Sequence, residues 1–273
     1  MAQQNEEKEC RKALGEARRI VIKLGTSTVT EANGELCERR VGPIVHGVAE
    51  LAREGRQVVL VSSGAVGLGR WLLGLHAARL KDMAVKQACA AAGQGLLMAA
   101  YKRMFEQHEV KVAQVLLTEE DFSNWRRYSN LRWTMEKLIG FGVVPIVNEN
   151  DSVSVRELVG AFGDNDELSA LLAAAVEADW LLLLTDVDGF YAPNGTRPRL
   201  VRTIRKLTPA MEALCNGTGK LGRGGMRSKL RAAKAASEAG VSVIIVNGRE
   251  PGAIAKAIAH KIGTYFPAKT EKR

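Results

Sequence analysis

The chain has 273 residues, 46% hydrophobic and 25% charged, an ordinary globular balance that supports one large α/β domain or two small ones. Aromatic residues make up only 5%, which suits helices packed on a parallel sheet better than a β-sandwich. The formal net charge is +9, and it is local: residues 197–234 carry eleven Lys and Arg against one acid, Glu212, a net of +10 in that segment. A generally basic surface would point to nucleic acid; a confined, glycine-interleaved excess points to a small polyanion such as a nucleotide phosphate chain.

Residues 1–17 mix Glu6, Glu7 and Glu9 with basic residues and contain no apolar run, so we expect a frayed extension without a signal peptide. Residues 18–24 read as a buried strand that stops at Gly25-Thr26-Ser27. Helical spacing follows over 35–55, closed by Glu54-Gly55, then a second buried strand over 57–61 and the small residues Ser62-Ser63-Gly64-Ala65. The long Ala-rich stretch 81–109 reads as helix, 110–117 as strand, 129–139 as helix and 143–147 as strand. A helix over 167–178, a strand over 180–184 ending at Thr185-Asp186, a helix over 226–239, a strand over 241–246 and a helix over 251–260 complete the pattern. Strands alternating with helices define a doubly wound, mainly parallel sheet in a single domain. Ligands of such folds bind beyond the carboxyl ends of the strands, where each of these turns falls.

The longest apolar stretch, 168–184, is interrupted by Glu177 and Asp179, so no membrane span is expected. Cys10, Cys37, Cys89 and Cys215 are scattered without a Cys-x-x-Cys and read as reduced thiols of a cytoplasmic protein. The four histidines are equally dispersed, which argues against a structural transition-metal site.

Four motifs carry chemistry. Lys23-Leu24-Gly25 places a lysine inside a strand pattern, where it needs an anionic partner; the glycine turn lets N–H groups approach a phosphate, although strand–Gly–Thr–Ser alone is also a common turn. Ser62 to Ala65 leaves room for a ligand carboxylate or for tight strand–helix packing, about equally. Asn148-Glu149-Asn150-Asp151 and Asp164-Asn165-Asp166 put carboxylates and amides against apolar sequence, a costly arrangement unless something satisfies them. One of the second trio would cap the helix that follows; the rest suit a substrate with both an amine and a carboxylate. Gly219 to Lys229 is a glycine lid feeding a helix N-terminus, and the charge concentrated there favours a triphosphate site over a mobile surface loop. Gly217 to Gly222 matches G-x-G-x-x-G but follows a helix-like segment, so a dinucleotide site is rejected, and no G-x-x-x-x-G-K-[ST] occurs.

Together, residues 21–27, 61–65, 147–151, 163–166, 184–186 and 222–229 resemble the amino acid kinase family. Within it they resemble the branch that phosphorylates the side-chain carboxylate of L-glutamate at the start of proline synthesis. The resemblance implies an α/β fold, an open, mainly parallel eight-stranded sheet in an αβα sandwich, spanning 18–267 with a charged tail over 268–273. It implies that Lys23 and Lys229 flank the transferring phosphoryl group and that Asp166 orients them. Ser63, Asn148, Asp151, Asp164 and Asn165 would hold glutamate. Lys23, Gly25, Thr185, Asp186, Arg223, Gly224, Gly225, Met226, Arg227, Ser228 and Lys229 would hold ATP, with Mg2+ bridging its phosphates and no protein ligand for the metal. A homo-oligomer and feedback by proline also belong to the resemblance. Arg223 stands where many relatives carry threonine, and Ser62 where threonine is common. The sequence stops shortly after Phe266, so the RNA-binding-like C-terminal domain of many bacterial members is expected to be absent. The alternatives are a kinase of another acidic amino acid or of a nucleoside monophosphate, or a nucleic-acid-binding or regulatory protein using the basic lid. The acid clusters and the lack of interleaved aromatics argue against the last.

Overall fold

The computed structural model describes residues 16–153, 165–193, 197–215 and 225–269. The chain runs through β1 (Arg19–Leu24), a single turn α1 (Thr26–Val29), α2 (Glu38–Arg53), β2 (Gln57–Ser62), α3 (Ala65–Leu72), α4 (Met83–Glu106) and β3 (Val112–Leu117). It continues with α5 (Glu120–Ser123), α6 (Trp125–Gly140), β4 (Val144–Glu149), α7 (Asn165–Ala175) and β5 (Trp180–Thr185). A small ribbon of β6 (Tyr191–Ala192) and β7 (Arg199–Leu200) precedes α8 (Pro209–Ala213), α9 (Met226–Glu238), β8 (Ser242–Asn247), α10 (Ala253–Ile258) and β9 (Thr264–Phe266).

Among the described residues the main sheet has seven strands, ordered β3-β4-β2-β1-β5-β8-β9, where the resemblance implied eight. Every neighbouring pair is parallel except β8–β9 at one edge. Because side chains alternate along a strand, each central strand feeds two cores. Ile20, Ile22 and Leu24 of β1, with Leu60, Ile146, Leu182 and Ile244, meet α2, α3, α4 and α10. Val21, with Val59, Val147, Leu183 and Ile245, meets α6, α7 and α9 on the other face. This double coverage is why the strands read as unbroken apolar runs rather than alternating ones.

Helix starts follow from capping. Asp82 accepts from the Ala84 and Val85 N–H groups at 2.9 and 3.4 Å, fixing the start of α4. Asn124 does the same for Arg126 and Arg127 at 3.1 and 3.3 Å, so α6 begins four residues earlier than its apolar periodicity predicts. Helix α3, absent from the sequence prediction, is two turns started by Gly64 at φ 113°, a conformation that favours glycine. It crosses α4 at close range. A Cβ on Gly69 would lie 1.8 Å from the Cys89 carbonyl oxygen, and one on Gly93 would lie 1.9 Å from that of Ala65. The crossing carries the middle of α4 to the carboxyl end of β2, beside Ala65.

Candidate active site

Strand alternation decides where Lys23 goes. It follows Val21 onto the face covered by α7 and α9 and is 1% exposed. There its Nζ lies 2.5 Å from Asp166 Oδ1, in the first turn of α7. The other carboxylate oxygen accepts from Lys229 Nζ at 3.1 Å and from Ser228 Oγ at 2.7 Å, both in the first turn of α9. Asp166 is 0% exposed. Burial alone would push its carboxyl up; the ammonium groups of Lys23 and Lys229, with hydrogen bonds from Lys23 and Ser228, outweigh this and hold it well below the usual carboxylate range. Among the described residues, two ammonium groups meet one carboxylate at the end of β1. Such an arrangement suits an incoming anion.

The backbone around it leaves room. A Cβ on Gly25 would sit 3.8 Å from Lys23 Nζ and 3.8 Å from the Leu184 carbonyl oxygen, so the glycine turn, the lysine and the end of β5 adjoin. The N-cap of helix α9 is Gly225, which has no side chain to bond the first N–H groups; that end is partly positive. Thr185 is buried, and its hydroxyl donates to Asp186 Oδ1 at 3.3 Å; Arg249 lies 4.0 Å from Asp186. Beside them Asp188 accepts from Asn247 at 2.9 Å and from the Tyr191 hydroxyl at 2.9 Å, and these bonds lower its pKa.

A second polar group lies beyond β2 and β4. Asn165 Nδ2 donates to the Ser62 carbonyl at 3.0 Å, to Ser63 Oγ at 2.8 Å and to Asn148 Oδ1 at 2.9 Å. Asn148 Nδ2 donates to Gln94 Oε1 of α4 at 2.9 Å. Asp151 lies 3.5 Å from Lys86 Nζ, also on α4. Gln94, Glu149, Asn150, Asp151 and Ala65 line a cavity of about 300 Å3. The Ser62 hydroxyl hydrogen-bonds the buried Tyr101 hydroxyl at 2.8 Å, and burial pushes the Tyr101 phenol upward.

The structure thus places Lys23, Asp166, Ser228 and Lys229 in one cluster, with Gly25, Thr185 and Asp186 along the adjoining strand end. Ser63, Asn148 and Asn165 form a second group, with Asp151 on the cavity wall beside Asn148's partner Gln94. Met226 packs partly against the core and Arg227 is exposed. Asp164, Arg223 and Gly224, and the G-x-G-x-x-G at 217–222, lie outside the described residues. Asn165 and Asp166 are helical residues of α7. Sequence reasoning missed Lys86 and Gln94. The signal available was Lys86, Ala90 and Gln94 at i, i+4 and i+8, two polar groups on one stripe of an Ala-rich helix.

A parallel α/β sheet with a buried Lys–Asp–Lys cluster and a helix N-terminus at its carboxyl edge suits the handling of phosphate. Residues 18–247 match the model of the amino acid kinase family, and the chain belongs to that family. It is 46% identical over 265 residues to the glutamate 5-kinase of Moorella thermoacetica, covering 95% of this chain and 69% of that protein. It is 46% identical over 258 residues to the glutamate 5-kinase of Geobacter sulfurreducens, covering 93% and 68%. Among solved structures, the carbamate kinase from Giardia lamblia bound to AMP-PNP superposes with a TM-score of 0.64 at 18% identity, covering 92% of this chain and 99% of that one. The UMP kinase from Ureaplasma parvum gives 0.62 at 15%, with the same coverage. At those identities the two structures share the fold.

Proposed function

We propose that this chain transfers the γ-phosphoryl group of ATP to the side-chain carboxylate of L-glutamate, giving L-glutamyl 5-phosphate and ADP, the first step of proline synthesis. The observation that carries the reading is the buried Lys23–Asp166–Lys229 cluster. The glutamate-phosphorylating relatives at 46% identity support the acceptor.

The nucleophile is a carboxylate, already ionised at neutral pH, so no general base is required. The task is to bring two anions together. At ~4 Å two unit charges repel by ~4 kcal/mol at a surface-like dielectric. Lys23 and Lys229 offset that repulsion from opposite sides, and Asp166 fixes their positions before substrates arrive. Gly25, Thr185, Asp186 and residues 223–229 receive ATP; Ser63, Asn148, Asp151, Asp164 and Asn165 receive glutamate. Both Asp166 oxygens are engaged by Lys23, Ser228 and Lys229. With those oxygens occupied, magnesium would arrive on the nucleotide and would supply charge neutralisation there.

The single domain over 18–267, a homo-oligomer and inhibition by proline at the glutamate site belong to the same proposal. None of the described helices is long and apolar enough to cross a membrane. The test is glutamate-dependent ADP release compared with aspartate, N-acetylglutamate and UMP, with and without proline. Turnover confined to a different acceptor would replace this reading with one of the other kinase activities. Absence of turnover together with salt-sensitive binding to duplex DNA would favour the nucleic-acid alternative.

A further inference from the structure

The carboxamides of Asn165, Asn148 and Gln94 form a chain whose polarity is fixed by two backbone groups. At one point the Glu149 N–H donates to Asn148 Oδ1 at 2.9 Å. A backbone N–H can only donate, so that atom is the oxygen and Asn148 Nδ2 must face Gln94. At the other end Asn165 donates to the Ser62 carbonyl at 3.0 Å, which can only accept. Gln94 therefore has to turn Oε1 toward Asn148, and its Nε2 points the other way. Gln94 is 9% exposed and lines the 300 Å3 cavity. Its Nε2 makes no hydrogen bond to any described residue, and it is not among the side-chain atoms sealed from solvent. A largely buried donor pair is thus aimed into the cavity by a network that leaves it no other orientation.

The charge around it identifies its partner. Ala65, the first residue of α3, lines the same cavity, and the N-cap of that eight-residue helix is Gly64, without a side-chain cap. Two N–H donors and a partly positive helix end select a carboxylate. Glu149 and Asp151 also line the cavity, Asp151 at 3.5 Å from Lys86 Nζ, and their carboxylates suit an ammonium group. Asn165 is next in sequence to Asp166, which holds the two lysines, and the amide chain runs from there through Asn148 to Gln94. Gln94 therefore marks the end of the site remote from phosphoryl transfer. Taking glutamate as the acceptor, as proposed above, we infer that Gln94 is a further specificity-determining residue whose Nε2 donates to the α-carboxylate, opposite the reacting side-chain carboxylate.

Gln94→Glu keeps the oxygen that faces Asn148 and replaces the donor with an anionic oxygen. Gln94→Leu removes both. Each is assayed with L-glutamate and with its α-amide, which retains the side-chain carboxylate but has a neutral α-group. Gln94→Glu should raise the glutamate KM about tenfold or more, with kcat within about threefold and the ATP KM within about twofold. Its preference for glutamate over the α-amide in kcat/KM should collapse by about tenfold or more, with a smaller loss of about threefold for Gln94→Leu. Thermal unfolding establishes that each variant is folded, and Gln94→Leu alone carries the test if Gln94→Glu is not. Native KM and native discrimination in Gln94→Glu would overturn the inference, as would damage confined to Gln94→Leu, which would make Gln94 only a prop for Asn148. A loss in kcat alone would overturn it too. A wild-type chain that turns over no glutamate overturns the proposed function and this inference together; glutamate turnover with discrimination indifferent to Gln94 overturns the inference alone.

Discussion

Replacing Asp166 with asparagine keeps the shape of the side chain and removes one charge. In the wild type that carboxylate is 0% exposed and holds Lys23 at 2.5 Å and Lys229 at 3.1 Å. Asparagine leaves two buried ammonium groups facing a neutral amide. Breaking a buried pair in this way costs about 3–5 kcal/mol, and at roughly 2–4 °C per kcal/mol for a chain of this size the melting temperature should fall by ~10 °C. Turnover should fall by about 100-fold or more, because the lysines lose their preset positions. The KM for ATP should not worsen, since the uncompensated positive charge still attracts phosphate. The pH dependence has a definite sign. The folded pKa of Asp166 is depressed, so its stabilisation is complete above the unfolded value of ~3.9 and is lost as pH falls below it toward the folded value. The stability gap between wild type and Asp166→Asn should be level near neutral pH and narrow below about pH 4. Calorimetric unfolding across pH and ADP-release kinetics measure these quantities. An Asp166→Asn protein with native melting temperature and native turnover would refute the reasoning.

Lys23→Ala should depress kcat by about 100-fold or more while changing the glutamate KM by less than about threefold; near-native turnover would remove Lys23 from phosphoryl transfer. Asp151→Asn, on the cavity wall beside Lys86, should raise the glutamate KM by about tenfold and leave the ATP KM nearly unchanged. Equal changes in both would contradict its place on the acceptor side. Gly93→Ala would put a Cβ 1.9 Å from the Ala65 carbonyl oxygen. It should destabilise by about 3 kcal/mol or more, at or beyond the upper end for overpacking, and raise the glutamate KM by displacing α4; a native denaturation midpoint would show that the helices separate freely.

Much of this was legible in the sequence because the sheet is covered on both faces. Strands β1, β2, β4, β5 and β8 announced themselves as short apolar runs, and the proposed site lies at their carboxyl ends. Lys23 stood out as a lysine inside such a run, and its need for an anionic partner is met by Asp166, 143 residues further on. Two kinds of feature were not legible. Helix α3 and strand β9 are too short for periodicity to register, and depend on Gly64 and on edge pairing with β8. Gln94 and Lys86 reach Asn148 and Asp151 because Gly69 and Gly93 let α3 and α4 cross so closely, a long-range packing fact that local pattern does not encode. The asparagines at 148 and 165 were recognisable as polar groups needing partners; that they bond to each other required the sheet register.

Trapping the product most directly tests phosphoryl transfer to a side-chain carboxylate. With L-glutamate, ATP, magnesium and hydroxylamine, an acyl phosphate on the side chain yields glutamate γ-hydroxamate in step with ADP. Lys23→Ala and Asp166→Asn should lose both products together. ADP release without hydroxamate, hydroxamate on the α-carboxylate, or γ-hydroxamate formed at native rate by both variants would contradict the assignment of this site.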